Sequence, residues 1–182
     1  YRLCVDADVC DPPSPELATY GQTNQELYPV TGIAASQAAR FCTWIKRHLP
    51  TLEEWRFAAT LGATGNWPWG DDEPSPEVAN LCYENCELLA GAPHEVGSHK
   101  DGIEGGIYDL IGNVSEWTRT AMTEDLQPIG QWSDDDRFVV PSRLAHVGGN
   151  YVTDAYGGLV GSMLSGQPSP YVGFRCVETD TP

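Results

Sequence analysis

Basic side chains are scarce in this sequence. Ten lysines and arginines stand against 26 aspartates and glutamates, which gives a formal net charge of −16. Such a field repels phosphate backbones and anionic lipid headgroups, so we expect no binding to nucleic acid and no insertion into a membrane. The acidity favours solubility, cation binding or a basic partner, and solubility alone is its commonest reason.

Long apolar runs are also missing. No stretch approaches the roughly 18 apolar residues that cross a bilayer, and the first residues carry no basic-then-apolar targeting pattern. A chain of 182 residues is long enough for one domain with a substantial core and too short for two ordinary ones. We therefore predict a single domain over residues 1–182. The chain begins abruptly at Tyr1, and we expect any signal peptide to lie upstream.

Common catalytic motifs are absent as well. The sequence has no G-x-S-x-G nucleophile elbow, phosphate loop or dinucleotide-binding fingerprint. The glycine-rich segment 102–106 lacks the Lys-Ser/Thr ending of a phosphate loop and predicts a turn.

The six cysteines are informative, although sequence alone does not fix their pairing. Two pairs each bracket a short stretch, which favours local disulfides, and the last two cysteines lie far apart. A bond closing so long a loop contributes about 4–5 kcal/mol in the chain-entropy model. Three disulfides indicate an oxidising compartment. Cytosolic free or zinc-bound thiols are the weaker alternative, because no second Cys pair or paired His motif lies near C-x-x-x-C. The predicted disulfides are Cys4–Cys10, Cys42–Cys176 and Cys82–Cys86.

Secondary-structure signals are clearest early in the chain. Apolar residues recur every three or four positions over 35–48, which predicts a helix that ends before Pro50. Thr51 and Glu54 have the spacing of a capping box, so a second helix begins there and stops near Gly62. Residues 1–30 read as an irregular segment. Short strands are predicted at 138–140, 144–147 and 172–177. The fold class is therefore α+β, with two helices and a loop-rich body around a small, irregular antiparallel sheet.

Several of these segments, in order, resemble the formylglycine-generating-enzyme (sulfatase-modifying factor) family. The set spans roughly residues 28–177, and its order makes it specific although each motif alone is weak. The matching segments are Tyr28-Pro29-Val30, Phe41-Cys42-Thr43-Trp44, Leu49-Pro50-Thr51-Leu52-Glu53-Glu54-Trp55, Trp67-Pro68-Trp69-Gly70, Ala79-Asn80, Tyr108-Asp109-Leu110-Ile111-Gly112-Asn113-Val114-Ser115-Glu116-Trp117, Gly148-Gly149-Asn150-Tyr151 and Gly173-Phe174-Arg175-Cys176.

The resemblance implies an elaborated C-type-lectin-like fold in which a helix cysteine bonds to one in the final strand. It also implies that the family's N-terminal portion is missing from this sequence, either because the portion has been left out or cleaved or because another polypeptide or an extracellular assembly supplies it. Family enzymes oxidise a substrate cysteine to formylglycine with copper held by two cysteines. Those positions fall here on Thr153 and Gly158, and neither can replace a thiolate ligand of Cu(I). We therefore expect no copper, no catalytic residue and no redox cofactor.

Neighbouring positions differ from the family pattern too. Asn150 stands where the family has serine, and Ser115 where it has the first tryptophan of W-E-W. A second branch of the superfamily, in ergothioneine biosynthesis, uses non-haem iron. The four histidines here lack the spacing of a 2-His-1-carboxylate site, and we interpret His94 and His99 as loop residues.

One structural metal site is expected from the resemblance. It implies a calcium ion held by two carboxylates and two backbone carbonyls in the D-x-x-G-N-x-x-E segment, and oxygen ligands of this kind suit a hard cation. The alternative is that the carboxylates only accept hydrogen bonds within a turn. The implied ligands are Asp109, Gly112, Val114 and Glu116. A second family calcium site, beginning at Asn80, is not expected, because the following loop is rebuilt around two cysteines.

Three functions follow in order of preference. The first is a non-catalytic extracellular, periplasmic or cell-surface module, calcium-stabilised, with a protein or glycan partner. The second is an oxidase or oxygenase with a divergent metal site, and the third is a diversity-generating variable protein. Aromatic and polar residues of the C-terminal loops form the expected ligand face. They are Trp132, Thr153, Asp154, Tyr156 and Tyr171. The acidic run 134–136 is interpreted as a solvated loop.

Overall fold

A computed structural model describes residues 1–17, 26–61, 65–84, 86, 91–99, 106–133, 140–155 and 159–178. Within these ranges the chain forms three helices and seven strands. They are α1 (Arg2–Asp6), α2 (Ala35–Trp44), β1 (Arg47–His48), α3 (Leu52–Thr60), β2 (Ser115–Met122), β3 (Pro128–Gln131), β4 (Arg143–Val147), β5 (Val160–Leu164), β6 (Val172–Phe174) and β7 (Val177–Glu178). None of the described helices is long and apolar enough to cross a bilayer.

The capping box at Thr51 is confirmed. The Thr51 hydroxyl accepts the Glu54 N–H at 3.0 Å, and the Glu54 carboxylate accepts the Thr51 N–H at 2.6 Å. These bonds satisfy two backbone donors that a helix start would otherwise leave unpaired, which fixes where α3 begins. The prediction for α2 was too long at its C-terminus, because Lys46 takes a positive φ of 60° and the chain enters β1 at Arg47.

The N-terminal segment differs from the prediction of irregular structure. Residues Arg2–Asp6 form one short helix, and the Cys4–Cys10 disulfide ties its middle to the following turn. A helix of five residues leaves too little apolar periodicity for a sequence pattern to detect.

The sheet is centred on β2. In the order β3-β2-β4-β5, each strand runs antiparallel to its neighbour, and β6 joins β2 in parallel. The parallel pair places Ser115 opposite Val172 and Trp117 opposite Phe174, so one parallel pair is added to the predicted small, irregular antiparallel sheet. The predicted strand 172–177 is interrupted after Phe174, and β7 pairs with β1 instead. Of the strand predicted at 138–140, only residue 140 lies within the described residues, and it is not in a strand.

Two apolar clusters form the core. One joins α2 to the sheet around Trp117, which is fully buried, and the other joins α3 to the loops around Trp55 and Leu110. Trp132 belongs to the first cluster and is only 8% exposed. Its placement on the ligand face was therefore wrong, because the residue directly follows β3 and its N–H bonds to the Arg119 carbonyl of β2.

The three predicted disulfides are present in the structure. Two close loops of 6 and 4 residues, and the third joins residues 134 positions apart. That third bond, Cys42–Cys176, connects helix α2 to the chain between β6 and β7. It links the first core cluster to the last strands, as expected for a staple in this fold.

Candidate functional site

The candidate site is centred on the start of strand β2, where two neighbouring residues face opposite sides. Side chains of consecutive strand residues point to opposite faces. Ser115 contacts the loop at 150, whereas Glu116 contacts Arg175 and Trp55. Both are buried, at 1% and 5% exposure. These two contacts define a neutral side and a charged side of the candidate site.

On the charged side, Glu116 is paired with Arg175. The Nε and Nη2 atoms of Arg175 donate to Oε2 and Oε1 of Glu116 at 2.6 and 2.5 Å, and the Trp55 indole N–H adds a third bond to Oε2 at 3.1 Å. Bidentate contacts between a guanidinium and a carboxylate are among the strongest hydrogen bonds in proteins. Parallel pairing of β6 with β2 brings Arg175, which follows β6, beside this carboxylate.

Arg175 also closes the loop before β2. Its Nη2 atom donates to the backbone carbonyls of Tyr108 and Asp109 at 3.0 and 3.1 Å. The guanidinium therefore lies among four oxygen acceptors, which a calcium ion would otherwise coordinate well. A cleft of about 430 Å³ opens beside it, lined by Pro29, Val96, Gly97, Tyr108, Asp109, Asn113, Val114, Glu116, Phe174 and Arg175.

The loop from 109 to 113 is tightly wound. Asp109, Gly112 and Asn113 have positive φ angles of 55°, 85° and 61°. Gly112 has a second requirement, since a Cβ there would lie 2.6 Å from the Asn80 carbonyl oxygen. The Asp109 carboxylate accepts the Gly97 N–H at 2.7 Å, so this loop also fixes the neighbouring loop at 94–99.

The predicted calcium ligands only partly meet. Asp109, Val114 and Glu116 line the same cleft, and Gly112 lies on the loop that leads into it. A carboxylate offers about four lone-pair sites. Oε2 of Glu116 already accepts two hydrogen bonds and Oε1 accepts one, so Glu116 can give calcium one ligand at most. Calcium at these ligands stays a prediction, and the adjacent guanidinium opposes the charge of any bound cation.

On the neutral side, Asn150 is the centre of a small hydrogen-bond network. Its Nδ2 donates to the Ser115 hydroxyl at 3.0 Å, and its Oδ1 accepts the Val152 N–H at 3.0 Å. The Thr153 hydroxyl accepts the Asn150 N–H at 3.0 Å. The oxygen that stands at one copper-ligand position is thus engaged in holding the loop. Gly158, at the other position, lies outside the described residues.

The same loop is attached to the Cys82–Cys86 hairpin. Cys82 donates its N–H to the Thr153 carbonyl at 2.9 Å, and its own carbonyl accepts the Ala155 N–H at 3.0 Å. The disulfide that follows Asn80 therefore supports residues 153–155.

Only part of the predicted ligand face comes together. Thr153 and Tyr171 are half-buried and Asp154 is exposed, whereas Tyr156 lies outside the described residues. Tyr151 was not predicted on this face, but it lies beside Tyr171. Its ring lies 5.6 Å from that of Tyr171, and burial, aided by Tyr171, raises the pKa of the Tyr151 hydroxyl. Because Tyr151 belongs to a family motif, no local sequence signal pointed to its place on this face.

The loop at 94–99 holds His94 and His99, which were interpreted from the sequence as loop residues, and brings them together as a pair. His94 Nδ1 lies 2.9 Å from His99 Nε2. Asn113 holds His94 by its backbone, since Oδ1 accepts the His94 N–H at 2.9 Å and Nδ2 donates to the His94 carbonyl at 3.2 Å. Partial burial, then the neighbouring His94, lowers the pKa of His99, while Asp109 opposes this shift.

Comparison with known proteins identifies both a relative named as inactive and relatives named as enzymes. A family model described as the sulfatase-modifying factor enzyme 1-like domain matches residues 4–180. The inactive C-alpha-formylglycine-generating enzyme 2 of Mus musculus is 37% identical over 114 residues, which are 57% of this chain and 34% of that protein. The formylglycine-generating enzyme of Mycobacterium tuberculosis is 36% identical over 100 residues, 51% of this chain and 33% of the enzyme.

A third relative is the hercynine oxygenase of Mycobacterium tuberculosis, 31% identical over 99 residues, 52% of this chain and 22% of the enzyme. The chain spans about a third of the length of the first two relatives and 22% of the length of the third. Inactive and active relatives are about equally similar, so likeness alone does not decide whether this chain is catalytic.

Solved structures resemble the fold at low sequence identity. CarF superposes with a TM-score of 0.58 and 20% identity, over 85% of this chain and 69% of CarF. Treponema denticola variable protein 1 superposes with a TM-score of 0.59 and 16% identity, over 90% of this chain and 76% of that protein. At such identities the likeness concerns the fold only.

Proposed function

We propose, since this chain belongs to the sulfatase-modifying factor enzyme 1-like domain family, that it is a non-catalytic binding or structural module. The observation that carries the proposal is the hydrogen bond that the Thr153 hydroxyl accepts. Its side-chain oxygen replaces a soft sulfur ligand, and it is used in a hydrogen bond that holds the Asn150 turn. A hydroxyl and a glycine offer no thiolate to Cu(I), so the copper chemistry of the family has no ligands at these positions.

The proposed binding face surrounds the loop at 150–153, whose polar groups bond to one another. Tyr151 and Tyr171 are adjacent rings, and Thr153 and Asp154 lie on the same short loop. Aromatic rings give large contact area at low entropic cost, and a nearby acidic group selects for neutral or basic ligands. The partner we propose is therefore a protein or glycan surface without strong negative charge.

We include a weak calcium site in this proposal. Asp109, the carbonyls of Gly112 and Val114 and one oxygen of Glu116 would hold the ion, which would stabilise the loop before β2. Because Arg175 shares Glu116, we expect an affinity of about 10⁻⁴–10⁻³ M, the range of extracellular calcium modules. Calcium at ten times its dissociation constant then stabilises the fold by about 1.4 kcal/mol. The measurement is urea unfolding with and without calcium, with magnesium as the control cation. Equal stability in both would remove calcium from the proposal.

The proposed location is an oxidising one, outside the cell, in the periplasm or at the cell surface. Three disulfides without a free cysteine among the described residues are the support for it. The same proposal includes a further polypeptide that completes the domain. Its support is that the chain spans only about a third of the length of its curated relatives.

The decisive experiment compares metal binding and oxygen use in matched variants. We expect the wild-type chain to bind no stoichiometric Cu(I) in an anaerobic competition assay, and to consume no oxygen with a peptide thiol. The double variant T153C/G158C restores two thiolates at the family positions and should gain Cu(I) binding. The single variant T153S keeps an oxygen and is the control.

The alternative function is a metal-dependent oxidase or oxygenase with a divergent site. The relation to hercynine oxygenase favours it. Stoichiometric copper or iron in the wild-type chain, with thiol-dependent oxygen consumption that T153S leaves intact, would establish this alternative and overturn the non-catalytic assignment.

A further inference from the structure

We propose that His94 and His99 form a binding site for a divalent transition-metal ion, of the zinc or copper(II) type. This site is separate from the copper position at Thr153 and from the calcium ligands, and it goes beyond the proposed function. Neutral imidazole nitrogen is the commonest protein ligand for these ions.

The geometry of the two rings is the first argument. His94 Nδ1 and His99 Nε2 are 2.9 Å apart, the ring planes differ by 10°, and the ring centres are 5.1 Å apart. The centres are further apart than the nitrogens by about two ring radii, so the rings meet edge to edge. Only one proton can lie between the two nitrogens, and a metal ion that binds both nitrogens displaces this proton and lies off the line that joins them.

The nitrogen separation is close to what such an ion requires. Two metal–nitrogen bonds of about 2.0–2.1 Å span about 2.9 Å at a right angle and about 3.4 Å at a tetrahedral angle. Binding at the tetrahedral angle therefore needs the nitrogens to separate by roughly half an ångström and both rings to turn, so that each lone pair points at the ion. A side-chain adjustment of this size is ordinary on an exposed loop.

The loop is built to keep the two histidines together. Asn113 holds both backbone groups of His94, and Asp109 holds the Gly97 N–H between the histidines. Gly97 has a φ of 75°, which reverses the chain direction. Because the loop is ordered before the ion arrives, little conformational entropy is lost on binding.

Electrostatics favour a cation here. Asp109 accepts the Gly97 N–H between the two histidines at 2.7 Å, which places a carboxylate beside the pair, and the chain carries a formal charge of −16. No third His, Cys, Asp or Glu among the described residues completes a cluster of three. Water would therefore fill the remaining positions, as in an open rather than a closed structural site.

The experiment is a calorimetric titration of the whole chain with zinc chloride at pH 7.5. We expect one ion per chain, and at least a tenfold loss of affinity in H94N and in H99N. The matched control is E95Q, which removes an exposed charge from the same loop and should bind zinc as the wild type does. Thermal unfolding and circular dichroism check that each variant is folded.

A second measurement needs no variant. Long-range ¹H–¹⁵N spectra of the histidine side chains should show that zinc perturbs His94 Nδ1 and His99 Nε2, while the nitrogens of His48 and His146 are unchanged. Electron paramagnetic resonance of the copper(II) complex should report two nitrogen ligands. Zinc binding that is unchanged in H94N and H99N, or perturbation at the other histidines instead, would overturn the proposal.

Discussion

Ser115 and Glu116 are consecutive residues of one strand, and the two sides that they face are built from different interactions. Asn150 meets Ser115 through a neutral hydrogen bond, in a loop whose polar groups bond to one another. Glu116 meets Arg175 in a buried ion pair beside an open cleft. The family's copper ligands belong to the neutral side, and the expected calcium ligands belong to the charged side.

The difference separates the residues at the family's reaction site from the residues that stabilise the fold. On the neutral side, Ser115, Asn150 and Thr153 all depart from the family motif, yet they complete one hydrogen-bond network. On the charged side, Glu116 and Arg175 keep the family's residues. Under the proposed function, a chain that loses the metal-binding sulfurs but keeps the ion pair would retain the fold without the reaction.

Removing the cation of the charged side should have the largest effect. In R175M the Glu116 carboxylate stays buried with only the Trp55 N–H as a described partner, and breaking a buried pair in this way costs about 3–5 kcal/mol. Urea unfolding measures the loss. The control is R40A, because the Arg40–Asp11 pair is mostly exposed and should contribute about 0–1 kcal/mol. The double variant E116Q/R175M should recover part of the stability, and equal losses in R175M and R40A would contradict the comparison.

Breaking the neutral side should cost less. N150A leaves the buried Ser115 hydroxyl and the Val152 N–H without their Asn150 partners, for a loss of about 1–3 kcal/mol in the same unfolding measurement. The exposed Asn66, which bonds to Asp71, provides the matched variant N66A with an expected change within about 0.5 kcal/mol. If N150A were as destabilising as R175M, the neutral side would be equally essential to the fold.

The smallest of the three expected effects on stability depends on pH and concerns a histidine of the sheet itself. His146 lies on β4 beside Gly161, and burial lowers its pKa below the usual 6.5. The unfolded chain then binds a proton before the folded chain does, so the contribution of His146 is complete above pH 6.5 and declines as the pH falls below it. We expect H146Q to reduce the loss of stability between pH 7 and pH 5. An unchanged pH slope in H146Q would mean that other groups cause it.

Local sequence patterns predicted the elements that depend on near neighbours. The capping box at Thr51 involves residues three apart, and it forms as expected. The family motifs predicted the long-range disulfide and the fold, because they specify which distant segments meet.

Contacts between segments that no motif connects could not be predicted. Trp132 was assigned to the surface because its loop is variable, but its position after β3 buries it. Arg175 and Glu116 are 59 positions apart, and nothing in either motif indicates that the guanidinium takes a share of the expected calcium ligand. His94 and His99 had a local signal, namely two histidines around a glycine turn, but their alignment depends on Asn113 and Asp109.

The Cys42–Cys176 bond has a mechanical consequence. It joins residues 134 positions apart, so a pulling force that enters on either side of this span passes through the covalent bridge and bypasses the sheet. Only the chain outside residues 42–176 can then lengthen while the bridge is oxidised. A module of this design, placed between two anchored partners, would keep its binding face folded under tension. The residues between Cys42 and Cys176 would extend only after the disulfide is reduced.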